Sequence, residues 1–288
     1  MRALLWMSVT LISFCLMAIA ARELGNGLSI FQVLTFRSAI GLISVFAILV
    51  VTRNFSAVKT KKLPLHFFRN GFHFAGQYCW FLGIILLPLA EVTALGFTIP
   101  VWTALIALLF LDQKITRERL VSIVLGIAGV IVITRPGSAV ANVASLIVLL
   151  SAIFYAISHT VTGRLSLSEQ PIAVLFYMCL IQLPIGLILS ISTWQWPVGV
   201  QWLWLSVIGL TALSAHYCLT KAMTYADVTT IFTLDFFRLP LMALLGALFY
   251  QEPIGLSIVI GGALMASGNF VNMKRPSSSP EHAPTSKL

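Results

Sequence analysis

Apolar residues come in ten long runs separated by short polar joints: 3–21, 28–51, 67–87, 89–111, 120–134, 144–161, 173–191, 203–222, 228–250 and 254–271. A helix rises about 1.5 Å per residue, so about 20 apolar residues cross a hydrocarbon core about 30 Å thick. Most of the runs approach or reach that length, and a helix is the form that satisfies a lone segment's backbone in lipid. The pattern predicts an all-α integral membrane protein with ten transmembrane helices. The stretch 272–288, rich in Ser and Pro, has no apolar face to bury and is expected to be a disordered tail. The first run also fits the outline of a cleavable signal peptide, with Arg2, an apolar stretch and Ala18-Ile19-Ala20.

Two stretches share one pattern. AEVTALGFTIPVWTALIALLFLDQKIT at 90–116 is echoed by ADVTTIFTLDFFRLPLMALLGALFYQEPIG at 226–255. Laying LFLDQ over LFYQE sets Gln113 opposite Glu252 and leaves Pro100 and Pro240 one residue out of register. On these stretches, together with PLAEVTALGFTIPVWTALIALLF, GIAGVIVITRPG and FFRLPLMALLGALFYQEP, the chain resembles the EamA domains of the drug/metabolite transporter superfamily. The resemblance implies ten helices in two five-helix repeats, 3–135 and 140–271, followed by the tail 272–288. Five spans per repeat require the first run to be kept, against the signal-peptide outline. The chain departs from the family at Gln113, where the turn usually carries Glu, while the second half keeps an acid in Glu252.

Composition agrees with the runs: 59% hydrophobic and 9% charged residues with a mean hydropathy of +0.97 lie outside the soluble range, where charged residues make up about a quarter. The formal net charge of +9 does not point to nucleic acid, because the basic residues sit in the joints, where they act as topology signals. With the N-terminus cytoplasmic, the inner joints receive Arg53, Lys59, Lys61, Lys62, Arg69, Lys114, Arg117, Arg119, Arg164 and Lys221, and the tail receives Lys274 and Arg275. The outer joints receive only Arg22 and Arg135. Both termini are therefore expected in the cytoplasm, in a cell inner membrane. An odd number of spans per repeat turns the second repeat upside down, which is the inverted-repeat plan of secondary transporters. Cys15, Cys79, Cys179 and Cys218 lie inside apolar runs without ligand spacing, so no metal site is expected. No GxxxxGK[ST] or HExxH occurs, which argues against an ATP-driven pump or a metalloprotease and for no cofactor. The C-terminal Ser286-Lys287-Leu288 is read as coincidence, since a chain with ten spans is inserted into a membrane first.

Charged groups in mid-span are costly, about 2.5 to 3.5 kcal/mol each on insertion scales, and are functional candidates for that reason. Here they are Arg37, Asp235 and Arg238. Asp235 and Arg238 share a helix face and are read either as a neutralising pair or as a coupling proton site beside an anion anchor. Arg37 has no acid within a helical turn, so it calls for a partner from another span, a water-filled cavity or a substrate anion. Tyr78, Trp102, Tyr155, His159 and Tyr217 are candidate pocket-lining residues, with core packing as the alternative. Gln77-Tyr78-Cys79 and His216-Tyr217-Cys218 occupy similar places in the two halves. Pro100 and Pro240 are expected to break their helices near a binding site. No carboxylate lies in the first span, so the proton-exchange mechanism of the small multidrug-resistance relatives does not carry over.

The expected function is secondary active transport of a small anionic or zwitterionic metabolite by alternating access. Family resemblance implies amino-acid derivatives, including opine-like metallophores, and makes export the commoner direction. Uptake or exchange of S-adenosylmethionine, riboflavin or a nucleoside is the alternative, and a membrane enzyme or scaffold is the alternative of another class. The expected partners are a small-molecule substrate and the lipid bilayer, with protons as a candidate coupling ion and a monomer or homodimer as the unit.

Overall fold

The computed structural model describes residues 2–25, 27–110, 116–134, 139–223, 225–226, 231 and 234–273. Among these residues the chain is helical throughout and has no strand. The helices are α1 (Arg2–Leu24), α2 (Ile30–Thr52), α3 (Leu63–Leu86), α4 (Leu89–Gly96), α5 (Ile99–Phe110), α6 (Arg117–Thr134), α7 (Ala139–Ser166), α8 (Pro171–Ser190), α9 (Gln201–Met223), α10 (Arg238–Tyr250) and α11 (Leu256–Met273). Among the described residues six helical stretches are long and apolar enough to cross a membrane, and three shorter apolar helices accompany them. Gln113, Lys114, Arg135 and residues 274–288 lie outside the described residues, while Asn272 and Met273, expected to open the tail, are the last residues of α11.

The bundle is built inside out. Large apolar side chains stand exposed in helical spacing along the outer faces: Leu5, Ile12 and Leu16 on α1, Ile43, Phe46 and Val50 on α2, Val124, Ile127 and Ile131 on α6. Arg37, Arg69, Asn70, His73, Gln77 and Gln182 are buried instead. A protein in water would not expose so much continuous apolar surface, whereas lipid solvates it.

Helix ends differ from the sequence expectation by about a turn. The joint expected at 22–27 is helical through Leu24, and α7, expected over 144–161, runs from Ala139 to Ser166. In the fourth run the chain breaks at Phe97-Thr98, between α4 and α5, and Pro100 stands in the first turn of α5, where its missing N–H is not needed. The break therefore precedes the proline rather than coinciding with it. Pro240 likewise occupies the first turn of α10, after the turn at Phe236-Phe237. In the register that lays Gln113 over Glu252, Phe97-Thr98 falls on Phe236-Phe237 and Ile99 on Arg238, so the turns match although the prolines do not.

The main packing pairs are α1 with α9, α3 with α7, α2 with α8 and α6 with α11. The last pair approaches backbone to backbone: a Cβ on Gly129 or on Gly261 would lie 2.7 Å from the other's carbonyl oxygen. The close face of α11 thus carries Gly261, while Gly262 turns toward Leu239 of α10.

Candidate functional site

α3 carries a polar stripe. His66, Arg69, Asn70, His73 and Gln77 recur at three- and four-residue spacing, which puts them on one helix face, and all are buried. Arg69, expected in the basic cytoplasmic loop, is instead 4% exposed and part of this stripe. Its Nη1 donates to Asn70 Oδ1 at 2.6 Å and its Nε to Thr162 Oγ1 on α7 at 3.1 Å. Asn70 Nδ2 donates to the carbonyl of Tyr177 on α8 at 3.3 Å. Sequence reading placed Arg69 at the edge of the charged loop and so missed the stripe; the signal was its helical spacing with Asn70, His73 and Gln77.

Arg37 projects from α2 into the same region. With the Gln77 amide oriented to satisfy both neighbours, its Oε1 accepts from Arg37 Nη1 at 2.6 Å and Nη2 at 3.0 Å, and its Nε2 donates to Gln182 Oε1 at 2.9 Å. Gln182 Nε2 donates to His73 Nδ1 at 3.0 Å, which places the His73 proton on Nε2. Arg37 is 4% exposed, and its Nε has no hydrogen-bond partner among the described residues. Neither Arg37 nor Arg69 has a carboxylate within ion-pair distance among those residues. Two buried guanidinium groups held by amides and hydroxyls alone leave net positive charge in a low-dielectric interior, which is expensive without a counter-anion.

A row of rings leads away from this centre. His73 lies 5.3 Å from Tyr155 and 6.2 Å from His216, and Tyr155 stacks on His159 at 6.0 Å. His216 in turn faces Phe14 of α1 at 6.4 Å. Phe14 and Phe97 hold the guanidinium of Arg238, whose Cζ lies 4.9 and 5.3 Å from their ring centres. Arg238 Nη2 donates to Asp235 Oδ2 at 2.9 Å, while Asp235 Oδ1 is buried without a partner among the described residues.

Of the residues singled out from sequence, the structure joins Arg37, Tyr155 and His159 in one neighbourhood, and Phe14 connects it to the Asp235–Arg238 pair. Tyr78 stacks on Phe31 at 4.6 Å, against the apolar core. Trp102 Nε1 donates to Thr98 Oγ1 at 3.1 Å, across the turn between α4 and α5. Tyr217 stands apart, half exposed and edge-on to Trp6 at 6.0 Å. At the positions paired from sequence, Gln77 and His216 reach the polar centre, one residue before each tyrosine.

Polar ties close both ends of the bundle. At one end Arg22 Nη1 meets Glu252 Oε1 at 2.7 Å, Glu252 Oε2 accepts the Leu89 N–H at 2.8 Å, and Tyr250 donates to Glu23 at 2.9 Å. The Glu252 carboxylate thus sits on the first amide of α4, where the helix dipole favours negative charge. Gly246 makes room for it, since a Cβ there would lie 2.3 Å from Oε2. At the other end Glu169 takes His66 Nε2 at 2.5 Å and the Thr60 hydroxyl, and Tyr177 donates to the Val58 carbonyl at 2.9 Å.

Comparison with known proteins agrees with this architecture. The model of the EamA-like transporter family matches residues 1–135 and again 142–273. An S-adenosylmethionine uptake transporter of Rickettsia felis is 26% identical over 247 residues, 86% of this chain and 84% of that protein. A riboflavin transporter of Brucella anthropi is 30% identical over 227 residues, 77% of this chain and 80% of that one. The pseudopaline exporter CntI of Pseudomonas aeruginosa is 25% identical over 255 residues, 88% of this chain and 89% of its own length. These relatives are named as transporters rather than enzymes. A solved crystal structure superposes with a TM-score of 0.68 over 94% of this chain and 96% of the other at 18% identity, which shows a shared fold.

Proposed function

Because the chain belongs to the EamA-like transporter family and is a multi-pass membrane protein, we propose that it exports a small anionic or zwitterionic metabolite across the cell inner membrane by alternating access. The observation that carries the substrate class is Arg37, buried among amides with Arg69 nearby and no carboxylate on either within the described residues. A carboxylate or phosphate supplies the missing charge and binds a guanidinium fork by two parallel hydrogen bonds. Tyr155, His159 and His216 form the ring-lined wall along which the rest of the substrate lies. Arg238 is a second anion anchor and Asp235 the coupling proton site, with Tyr78 and Trp102 assigned to the surrounding shell and Tyr217 outside it.

The layout that serves this function is ten spans in two inverted repeats, 3–135 and 140–271, with both termini and the tail 272–288 in the cytoplasm. Exchanging the halves turns the contact of α1 with α9 into that of α7 with α3 and leaves α2–α8 and α6–α11 as self-pairs, which supports a two-fold plan. The matched turns before α5 and α10 place a half-helix N-terminus in each half, a position that favours anionic groups. Amino-acid derivatives with more than one carboxylate, opine-like metallophores included, fit the two arginines, and the relative named as a pseudopaline exporter accords with export. Uptake of a compound with a planar heterocycle, such as S-adenosylmethionine or riboflavin, is the second reading, favoured by the ring row and by the names of two relatives.

Metabolite profiles inside and outside cells with and without the protein test the proposal. An anionic or zwitterionic compound that accumulates inside when the protein is absent is expected. Accumulation of lipophilic cations alone would contradict the substrate class, and loss of the compound from the inside would reverse the direction.

A further inference from the structure

At the end of the bundle where α1 begins and α9 ends, a groove of about 380 Å³ is lined by Arg2, Leu5, Trp6, Val9 and Tyr225. The first four lie at three- and four-residue spacing, hence on one face of α1. Leu5 is 64% exposed and Val9 43%, so the aliphatic part of the groove is open to whatever surrounds the bundle. Arg2 Cζ stands 5.9 Å over the ring of Tyr225. Beside the groove, Lys221 Nζ stands 5.9 Å over the ring of Tyr217, which meets Trp6 edge-on. No carboxylate lines the groove among the described residues.

We propose that this groove is a binding site for an anionic phospholipid. Seven residues of helix separate Arg2 from Val9, a depth of about 10 Å: Arg2 and Tyr225 stand at the end, Leu5 and Trp6 one turn further in, and Val9 a turn beyond them. A phospholipid changes along the same direction, from phosphate through the ester region to acyl chain, and interfacial aromatic and basic side chains match its headgroup end. Charge complementarity selects an acidic headgroup over a zwitterionic one. A two-fold contact between copies of the chain would instead bring like charges together.

Occupancy of this groove reaches the transport path. Behind it, Met7, Ala222 and Ile231 form a small core of their own, flanked by Trp6, Leu219 and Leu234. Leu234 adjoins Asp235, so a lipid that braces Trp6 and Tyr225 braces the segment carrying the Asp235–Arg238 pair.

The test uses delipidated full-length protein in detergent, titrated with phosphatidylglycerol, phosphatidylcholine or glycerol 3-phosphate and followed by native mass spectrometry and thermal unfolding. Phosphatidylglycerol is expected to bind and stabilise, phosphatidylcholine weakly, and glycerol 3-phosphate not at all. In Arg2→Gln, phosphatidylglycerol affinity should fall about five-fold. The control Lys61→Gln removes the same charge elsewhere and should leave affinity unchanged. Equal binding of the two lipids, equal loss in the control, stabilisation by glycerol 3-phosphate alone, or a lipid-independent dimer lost in Arg2→Gln would each overturn the proposal.

Discussion

Glu252 binds three segments at one end of the bundle, so neutralising it should loosen that end by a calculable amount. Its Oε1 lies 2.7 Å from Arg22 Nη1 and its Oε2 accepts the Leu89 N–H at 2.8 Å, with the two side chains 12% and 19% exposed. Glu252→Gln keeps an oxygen for the Leu89 amide but removes the charge, leaving Arg22 with the Leu87 carbonyl at 2.5 Å and the face of Tyr250. Breaking a fully buried pair costs about 3 to 5 kcal/mol and losing a charged hydrogen bond about 1.5 to 3. Partial exposure allows water to compensate, so about 2 kcal/mol is expected, an equilibrium factor of about 30. The assay is a double-mutant cycle with Arg22→Gln on thermal unfolding in detergent. It is combined with labelling of a cysteine at Phe97 from the Trp196 side, in a background lacking Cys15, Cys79, Cys179 and Cys218. Coupling of about 1 to 2 kcal/mol is expected, along with labelling faster by up to about 30-fold in either single variant. Additivity within about 0.3 kcal/mol, with unchanged labelling, would show that the tie neither stabilises nor gates that end.

Two further outcomes follow from the polar centre and its surroundings. If Asp235 takes up the coupling proton, Asp235→Asn should abolish flux driven by a pH gradient in vesicles while leaving substrate-driven exchange, and flux at the unmutated level would remove Asp235 from coupling. Tyr155→Phe should raise the apparent KM by about 2- to 10-fold, the worth of one hydrogen bond of about 0.5 to 1.5 kcal/mol, while Tyr217→Phe, half exposed against Trp6, should leave it unchanged; the reverse pattern would move the site.

The apolar runs were legible because lipid requires long uninterrupted stretches: α1, α2, α3, α6, α8, α9 and α11 follow theirs to within about a turn, whereas α7 exceeds the run 144–161 by five residues at each end and α10 covers only 238–250 of the run 228–250. Side-chain direction was not. Arg69 reads as a loop cation in sequence because Lys59, Lys61 and Lys62 precede it, yet α3 begins at Leu63 and carries it inward. Tyr78 and Tyr217 looked like the repeat-related pair, but helix rotation delivers Gln77 and His216 to the centre instead, one residue earlier in each half. A shift of one residue turns a helix by about 100°, so hydropathy alone cannot choose between neighbours. The matched turns before α5 and α10 were approached through Pro100 and Pro240, and tolerance of proline throughout the first helical turn explains why those two residues stand one out of register.

The central claim is that Arg37, buried with no carboxylate within ion-pair distance among the described residues, anchors a transported anion. Once metabolite profiling has named the substrate, counterflow of the labelled compound into proteoliposomes carrying Arg37→Gln tests it most directly. A charged hydrogen bond of about 1.5 to 3 kcal/mol predicts an apparent KM higher by about 10- to 150-fold. The same variant should unfold at the unmutated temperature or above, because a buried charge has been removed. Counterflow with unchanged KM, or a variant that loses its fold, would make Arg37 a structural residue and contradict the account.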